Sequence, residues 1–406
     1  MKKSFLILFV IITSHFSILA QWELSDSGIT NGYIPSLALM GSDIFLSTMG
    51  SGVYISSDNG KSWSPRNNGL DENNFIKCIA VSGNNIFAAT GSNIIYRSSD
   101  KGLNWIMSTN IFDTLGIYVV YSNGKDVFVG TSGAGVFIST DDGLTWNQKN
   151  VGLTNKYVYN FLVDGTDIYA GTATWIFKST NYGESWELKN NGLENKYLHG
   201  MTKFGSNIIV GTEDGIFISS DKGETWNKRS NGLTQQQSKW VYDFEYIGSH
   251  IFAGTRNGVY VSSDTGKSWI SRNEGMVDIG IYSLKIINDY LVAGTSTMKG
   301  LYRIKYSDLL TGIDFDPISS DPDLTIISNC SSDKLQFMLK DEYSNKLLSI
   351  AITDIIGNSI RQNDFQAISI GDNIYEIDIS SLNAGMYFCS VNSNKRNNTF
   401  QFIVIR

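Results

Sequence analysis

The sequence predicts an all-β protein: a seven-bladed β-propeller whose amino-terminal strand closes the last blade, followed by a small Ig-like β-sandwich. Three observations carry this expectation. A pattern S-x-D-x-G-x-x-W recurs at a nearly constant period. Each period has room for four short strands separated by turn residues. Each end of the array holds a part that the other lacks. Composition agrees: 39 glycines, 4 prolines, 20 Tyr, 21 Phe and 9 Trp in 406 residues favour short strands joined by tight turns.

The chain begins with Lys2 and Lys3, then the apolar run Phe5 to Ile12, then Ala20 before Gln21 and Trp22. A basic end, a short apolar core and a small residue read as a removable secretory signal over residues 1–20. That run is too short to span a bilayer, and no later apolar segment is long enough for a transmembrane helix. The formal charge is -7, and losing the two leader lysines makes it more negative. This balance argues against a nucleic-acid partner, which needs a positive face for phosphates.

The repeated pattern appears as Ser56, Asp58, Gly60, Trp63 and as Ser98, Asp100, Gly102, Trp105. It returns at Asp141 and Trp146, at Asp221 and Trp226, and at Asp264 and Trp269; one altered copy has Asn181 before Trp186. Successive Trp residues are 42, 41, 40, 40 and 43 apart. Upstream of each box runs G-T then an apolar strand, as in Gly211, Thr212 and Gly215 to Phe217; downstream lies N-G-L, as in Asn68 to Leu70. The Asp and Gly belong in the hairpin between the two outer strands, where a carboxylate bonds backbone N–H groups and Gly takes a positive φ. The Trp packs between neighbouring sheets. Burying an indole removes about 150–250 Å² from water, worth at most about 4–6 kcal/mol. A structural task therefore explains the box without any ligand.

Trp22 lies 41 residues before Trp63, and Ser25 to Ile29 match the segment after each later Trp. At the far end, Gly294, Thr295, Gly300, Leu301 and Tyr302 match the first three strands of a repeat, with no box after them. Six full blades and one composite blade over residues 21–306 make seven and hide the sheet edges.

The box resembles the Asp-box, or BNR repeat, of sialidases, xyloglucan-active endoglucanases, sortilin-type propellers and photosystem II assembly factors. The resemblance covers about Trp22 to Lys305. It implies the hairpin and the propeller, and says little about activity. The sialidase arginine cluster has no counterpart here, so no sialidase site is carried over.

Residues 307–325, with Asp316, Pro317, Asp321 and Pro322, read as a linker, and residues 326–406 as a second module. Candidate strands are Leu335–Leu339, Leu347–Thr353, Ile374–Ile379, Met386–Val391 and Thr399–Ile405. Asp354 to Gly357 reads D-x-x-G, and Leu382, Gly385 and Tyr387 read L-x-x-G-x-Y before a final apolar strand. This is similar to the type A sorting domain of the type IX secretion system. It departs from that family at Asn329, Cys330 and Ser331, where a P-N-P turn is usual. The resemblance implies the secretion machinery as a partner, and export to the medium or the outer surface of a Gram-negative bacterium.

Catalytic chemistry is scarce. Beyond the leader only His199 and His250 remain, which argues against a histidine metal site, and no P-loop, G-x-S-x-G or H-E-x-x-H occurs. No cofactor, metal or catalytic set is expected. Cys78, Cys330 and Cys389 read as small buried side chains, with a Cys330–Cys389 pair as the alternative. His250 reads as a hairpin-turn residue. Asp71, Glu72, Asp113, Glu194, Asp243 and Asp278 fall on loops or strand starts of one face, and solvated loop charge accounts for them.

One column stands out. Tyr33, Phe75, Tyr157, Tyr197 and Trp240 share a position, with Gly116 and Ile279 in the remaining blades. Repetition favours packing against the next blade; a crown of rings at the channel entrance is the alternative. Two positions later come Tyr118, Tyr159, His199 and Tyr242, which with Trp240 are the candidate ligand-contacting residues. The resulting expectation is a secreted or surface propeller that binds a protein or glycan without catalysis. The alternative is a secreted glycoside hydrolase or lyase acting on polysaccharide, which needs opposed acids across a cleft.

Overall fold

The computed structural model describes residues 21–310, except 31–32, 72–74, 110–115, 194–196, 278–279 and 297–299, and the strand segments between 324 and 404. Seven four-stranded antiparallel sheets follow one another along residues 23–305. The protein is a seven-bladed β-propeller. Its inner strands are Ser36–Met40, Ile76–Ser82, Ile117–Asn123, Val158–Asp164, Leu198–Phe204, Val241–Ile247 and Ile281–Ile287. Each packs against the next, and the seventh packs back on the first, so the ring is closed.

Blade seven is composite, as the complementary ends predict. Glu23 pairs with Arg303 and Leu24 with Tyr302. Trp22 anchors this strand: its Nε1 donates to the Arg272 carbonyl at 2.8 Å, and its ring is buried among Phe252, Val261 and Tyr302. The short helix Tyr306–Leu309 joins the same cluster, and Arg272 Nε donates to the Leu309 carbonyl at 3.0 Å. Packing against blade seven therefore continues to Leu310, beyond the boundary expected at 306, because Leu309 and Leu310 supply apolar surface next to Trp22.

The boxes form matching hairpins. In the first, Ser56 Oγ donates to Asp58 Oδ1 at 2.7 Å, Gly60 N donates to Ser56 Oγ at 2.9 Å, and Ser62 donates its N–H and hydroxyl to the two Asp58 oxygens. The residue between Asp and Gly is left-handed in all six, from Asn59 to Thr265. Asn181 keeps the hairpin by reversing one bond, its Nδ2 donating to Ser185 Oγ at 2.8 Å. Each buried indole reaches back one blade. Trp105 Nε1 donates to the Arg66 carbonyl, Trp186 to Lys149, Trp226 to Lys189 and Trp269 to Arg229. Trp146 is only partly buried; the outer strand it faces, Ile106–Thr109, is longer and bulged. The N-G-L glycines allow the closest approach: Gly69 has φ +92°, and a Cβ there would meet the Trp105 carbonyl.

The carboxyl-terminal strands form two four-stranded sheets. One runs Leu324–Ser328, Lys334–Leu339, Ile374–Asp378, Ile368–Gly371; the other runs Ser359–Ile360, Ser349–Asp354, Gly385–Ser393, Arg396–Val404. The five strands expected there are present with shifted ends. Leu324–Ser328 starts inside the expected linker, where Pro322 argued for irregular chain. Cys78 and Cys389 are buried; Cys330 and the leader lie outside the described residues.

Candidate ligand-binding mouth of the channel

The chain direction separates two faces. Inner strands start at one face, and the Asp-box hairpins turn at the other. At the starting face, six of the seven inner strands carry the same irregularity. Ile76 pairs with Thr90 and Cys78 with Ala89, so Lys77 has no partner on the second strand. The same one-residue bulge falls at Tyr118, Tyr159, His199, Tyr242 and Tyr282. A bulge re-aims its side chain, and all six residues line the central cavity of about 710 Å³. In blade one Pro35 stands at this place.

Opposite each bulge stands the upstream Thr, preceded by Gly in five blades and by Ala89 in blade two. The Thr pairs with the residue before the bulge and the Gly with the residue after it, as in Leu198–Thr212 and Gly200–Gly211. The Thr hydroxyl closes the loop beyond, Thr212 Oγ1 donating to the Gly215 carbonyl at 2.9 Å. The Gly admits the next blade, since a Cβ on Gly254 would lie 2.9 Å from Ile281 Cγ2.

The bulged side chains touch around the mouth. Tyr118 and Tyr159 stack at 4.4 Å, Tyr242 and Tyr282 at 4.2 Å, and His199 lies 5.0 Å from Tyr242 and 6.1 Å from Trp240. Tyr33 meets Tyr282 edge-on at 5.5 Å. The phenols form two interacting groups, Tyr242–Tyr282–Tyr33 and Tyr118–Tyr159. Burial, reinforced by neighbouring phenols, pushes the Tyr33 pKa up to about 12 and raises Tyr159 and Tyr242 as well, so these phenols are neutral near pH 7. Burial lowers the His199 pKa to about 4, so its imidazole is neutral, and Nε2 has no hydrogen-bond partner among the described residues.

Outside this belt, Phe75, Tyr157 and Tyr197 are 43%, 50% and 47% exposed. They form an open rim, and Arg256 stacks over Trp240 at 5.1 Å. Asp71 and Phe75 border a side pocket of about 330 Å³. The register corrects one alignment. Ile281 pairs with Thr295 as Val241 pairs with Thr255, so Gly280, not Ile279, matches Trp240, and Tyr282 completes the belt. Tyr282 and Lys77 are the two mouth residues that the sequence reading left out. The Gly294–Thr295 pair opposite its bulge was the signal that could have found Tyr282; opposite Lys77 the chain has Ala89 and Thr90, without the glycine.

Of the candidate acids, Asp243 lines the cavity and Asp71 the side pocket; Glu72, Asp113, Glu194 and Asp278 lie outside the described residues. Asp243 accepts from Phe244 N and from Leu284 N of the next blade, both at 2.8 Å. Burial pushes its pKa up to about 6 against the opposing pull of Lys285. Glu245 pairs with Lys285. Among the described residues these are the carboxylates lining the cavity, and they sit two residues apart on one strand rather than facing each other. His250 opens a second strand, pairs with Ile247 across the hairpin and is fully buried, away from the mouth.

A Secretion system C-terminal sorting domain family matches residues 327–406, and a BNR/Asp-box repeat matches residues 54–65. The chain is an Asp-box β-propeller with a type IX secretion sorting domain. The sorting domain marks this propeller for export to the cell surface or the medium. No curated protein sequence matches the chain. Among solved structures, it is similar to YCF48 bound to D1 peptide, with a TM-score of 0.57, 17% identity, and coverage of 69% of this chain and 95% of that one. PorZ, a surface component of the type IX secretion system of Porphyromonas gingivalis, gives a TM-score of 0.54 at 16% identity, over 93% of this chain and 60% of that one. The extracellular domain of BT3049 from B. thetaiotaomicron gives 0.61 at 13% identity, over 95% of this chain and 57% of that one. At these identities the likeness concerns the fold. No helix among the described residues is long and apolar enough to cross a membrane.

Proposed function

We propose that this Asp-box propeller is an exported, non-catalytic binding module, and that its ligand sits on the ringed mouth of the channel. The observation that carries the reading is the run of six bulges, which turns Lys77, Tyr118, Tyr159, His199, Tyr242 and Tyr282 into one cavity. A concave site lined by rings with a few polar groups is the usual form of a binding pocket. The similar propeller YCF48, held with a peptide, supports this use of the architecture. The hydrolase reading gains no support from Asp243 and Glu245, because a glycosidase sets its two carboxylates on opposite sides of the bond it cuts. Residues 1–20 serve as the leader and residues 326–406 as the sorting tag in this proposal, and the tag engages the secretion machinery. The test is a glycan and peptide array probed with the full exported chain and with Tyr159→Ala and Tyr242→Ala. The variants should lose about tenfold or more in binding to whatever the parent captures. Unchanged binding would place the site elsewhere.

A further inference from the structure

The inner strands carry the lysines Lys77, Lys203 and Lys285 and the acids Asp164, Asp243 and Glu245. Asp164 holds Lys203, and Glu245 holds Lys285. Lys77 has no carboxylate partner among the described residues; its Nζ lies 3.9 Å from the centroid of the Tyr118 ring. It is also the one cation among the bulged side chains. A cation withdrawn from water needs a counter-charge, and a ring face supplies only part of one. Arg256, in blade six on the far side of the ring, likewise stacks on an aromatic face with no carboxylate partner among the described residues.

We infer that the mouth takes an acidic sugar, and that Lys77 is the counter-ion for its carboxylate. This rests on the mouth being the binding site. Two features favour a sugar over an acidic peptide. The bulges interrupt the regular row of N–H and C=O groups at the starts of the inner strands, which an extended peptide would need in order to add as a strand. What the mouth offers is phenol hydroxyls, each able to donate and accept, and exposed ring faces at Phe75, Tyr157 and Tyr197. That set matches the hydroxyls and the apolar face of a pyranose. Phe75 lies two residues before Lys77, on the rim outside the cavity that Lys77 lines.

The test titrates the full exported chain with tetragalacturonate, tetraglucuronate and sialyllactose, each beside its methyl ester, and with hexaglutamate, following intrinsic tryptophan fluorescence and calorimetry. At least one free acid should bind about tenfold or more tighter than its ester. Lys77→Met, checked by its melting curve, should erase that difference, and Lys77→Arg should keep most of it. Equal binding of acid and ester, no binding of any acid, or an unaltered preference in Lys77→Met would overturn the inference. Hexaglutamate binding through Lys77 without any of the sugars would also overturn it, in favour of an acidic peptide. Tyr159→Ala separates the two levels. If it weakens binding of neutral sugars while Lys77→Met does nothing, only the acidic-sugar inference fails. If it changes no binding at all, the mouth itself is excluded.

Discussion

At the face where the Asp-boxes turn, Asp58, Asp100, Asp141, Asp221 and Asp264 make the same bonds in every copy. At the mouth, the equivalent residue is lysine in blade two, tyrosine in four blades and histidine in blade five. The box end repeats its side chains because each of the six boxed blades needs the same hairpin and the same indole strut. The mouth repeats only its backbone bulge and varies what the bulge presents. Uniformity of side chain marks the structural end, and uniformity of backbone with varied side chains marks the end available for recognition. The electrostatics follow the same division. Hydrogen bonds from Thr145 and Thr225 hold Asp141 and Asp221 ionised, with pKa values near 2, while burial at the mouth keeps Tyr159 and His199 neutral.

Several changes break or sharpen this contrast. Deleting residues 326–406 should leave a folded propeller in the periplasm, with neither face altered; normal appearance in the medium on fractionation would refute the sorting assignment. Trp226→Ala at the box end should cost about 3–5 kcal/mol, read from denaturant melts, because a fully packed ring between blades is lost. Asp243→Asn in the channel tests the mouth side through pH. The folded-state pKa of Asp243 is raised to about 6, so the folded protein holds that proton more tightly than the unfolded chain. Its contribution is fully present below about pH 4 and is lost as pH rises through about 6. Asparagine keeps the acceptor for Leu284 N, so the variant should be more stable than the parent by about 1–3 kcal/mol at pH 7.5 and equal to it near pH 4. His250 has the opposite sign. With a pKa lowered to about 4, its contribution is present above about pH 6.5 and fades as pH falls. His250→Asn, the residue found at Asn85 and Asn207 in the same column, should flatten the melting temperature between pH 6.5 and pH 4.

The period, the hairpins and the composite blade were legible because each rests on local chemistry: a carboxylate in a tight turn, a glycine under a neighbour's carbonyl, an indole at fixed spacing. The mouth was half legible. Tyr118, Tyr159, His199 and Tyr242 could be placed by register, but a bulge adds one unpaired residue, and counting by strands put Ile279 where Gly280 belongs and passed over Tyr282. Lys77 escaped because a lone lysine in a strand reads as solvated, and only the ring of Tyr118 beside it shows otherwise. Leu309 and Leu310 were hidden for a similar reason: their partner, Trp22, lies at the other end of the chain.

The most direct test of the division between the faces sets Asp221→Ala beside Tyr159→Ala, measuring the melting temperature and array binding of each full exported chain. Asp221→Ala should melt earlier and bind as the parent does, while Tyr159→Ala should melt with the parent and lose its ligand. The reverse pairing, with binding lost at the Asp-box and stability lost at the mouth, would contradict the account.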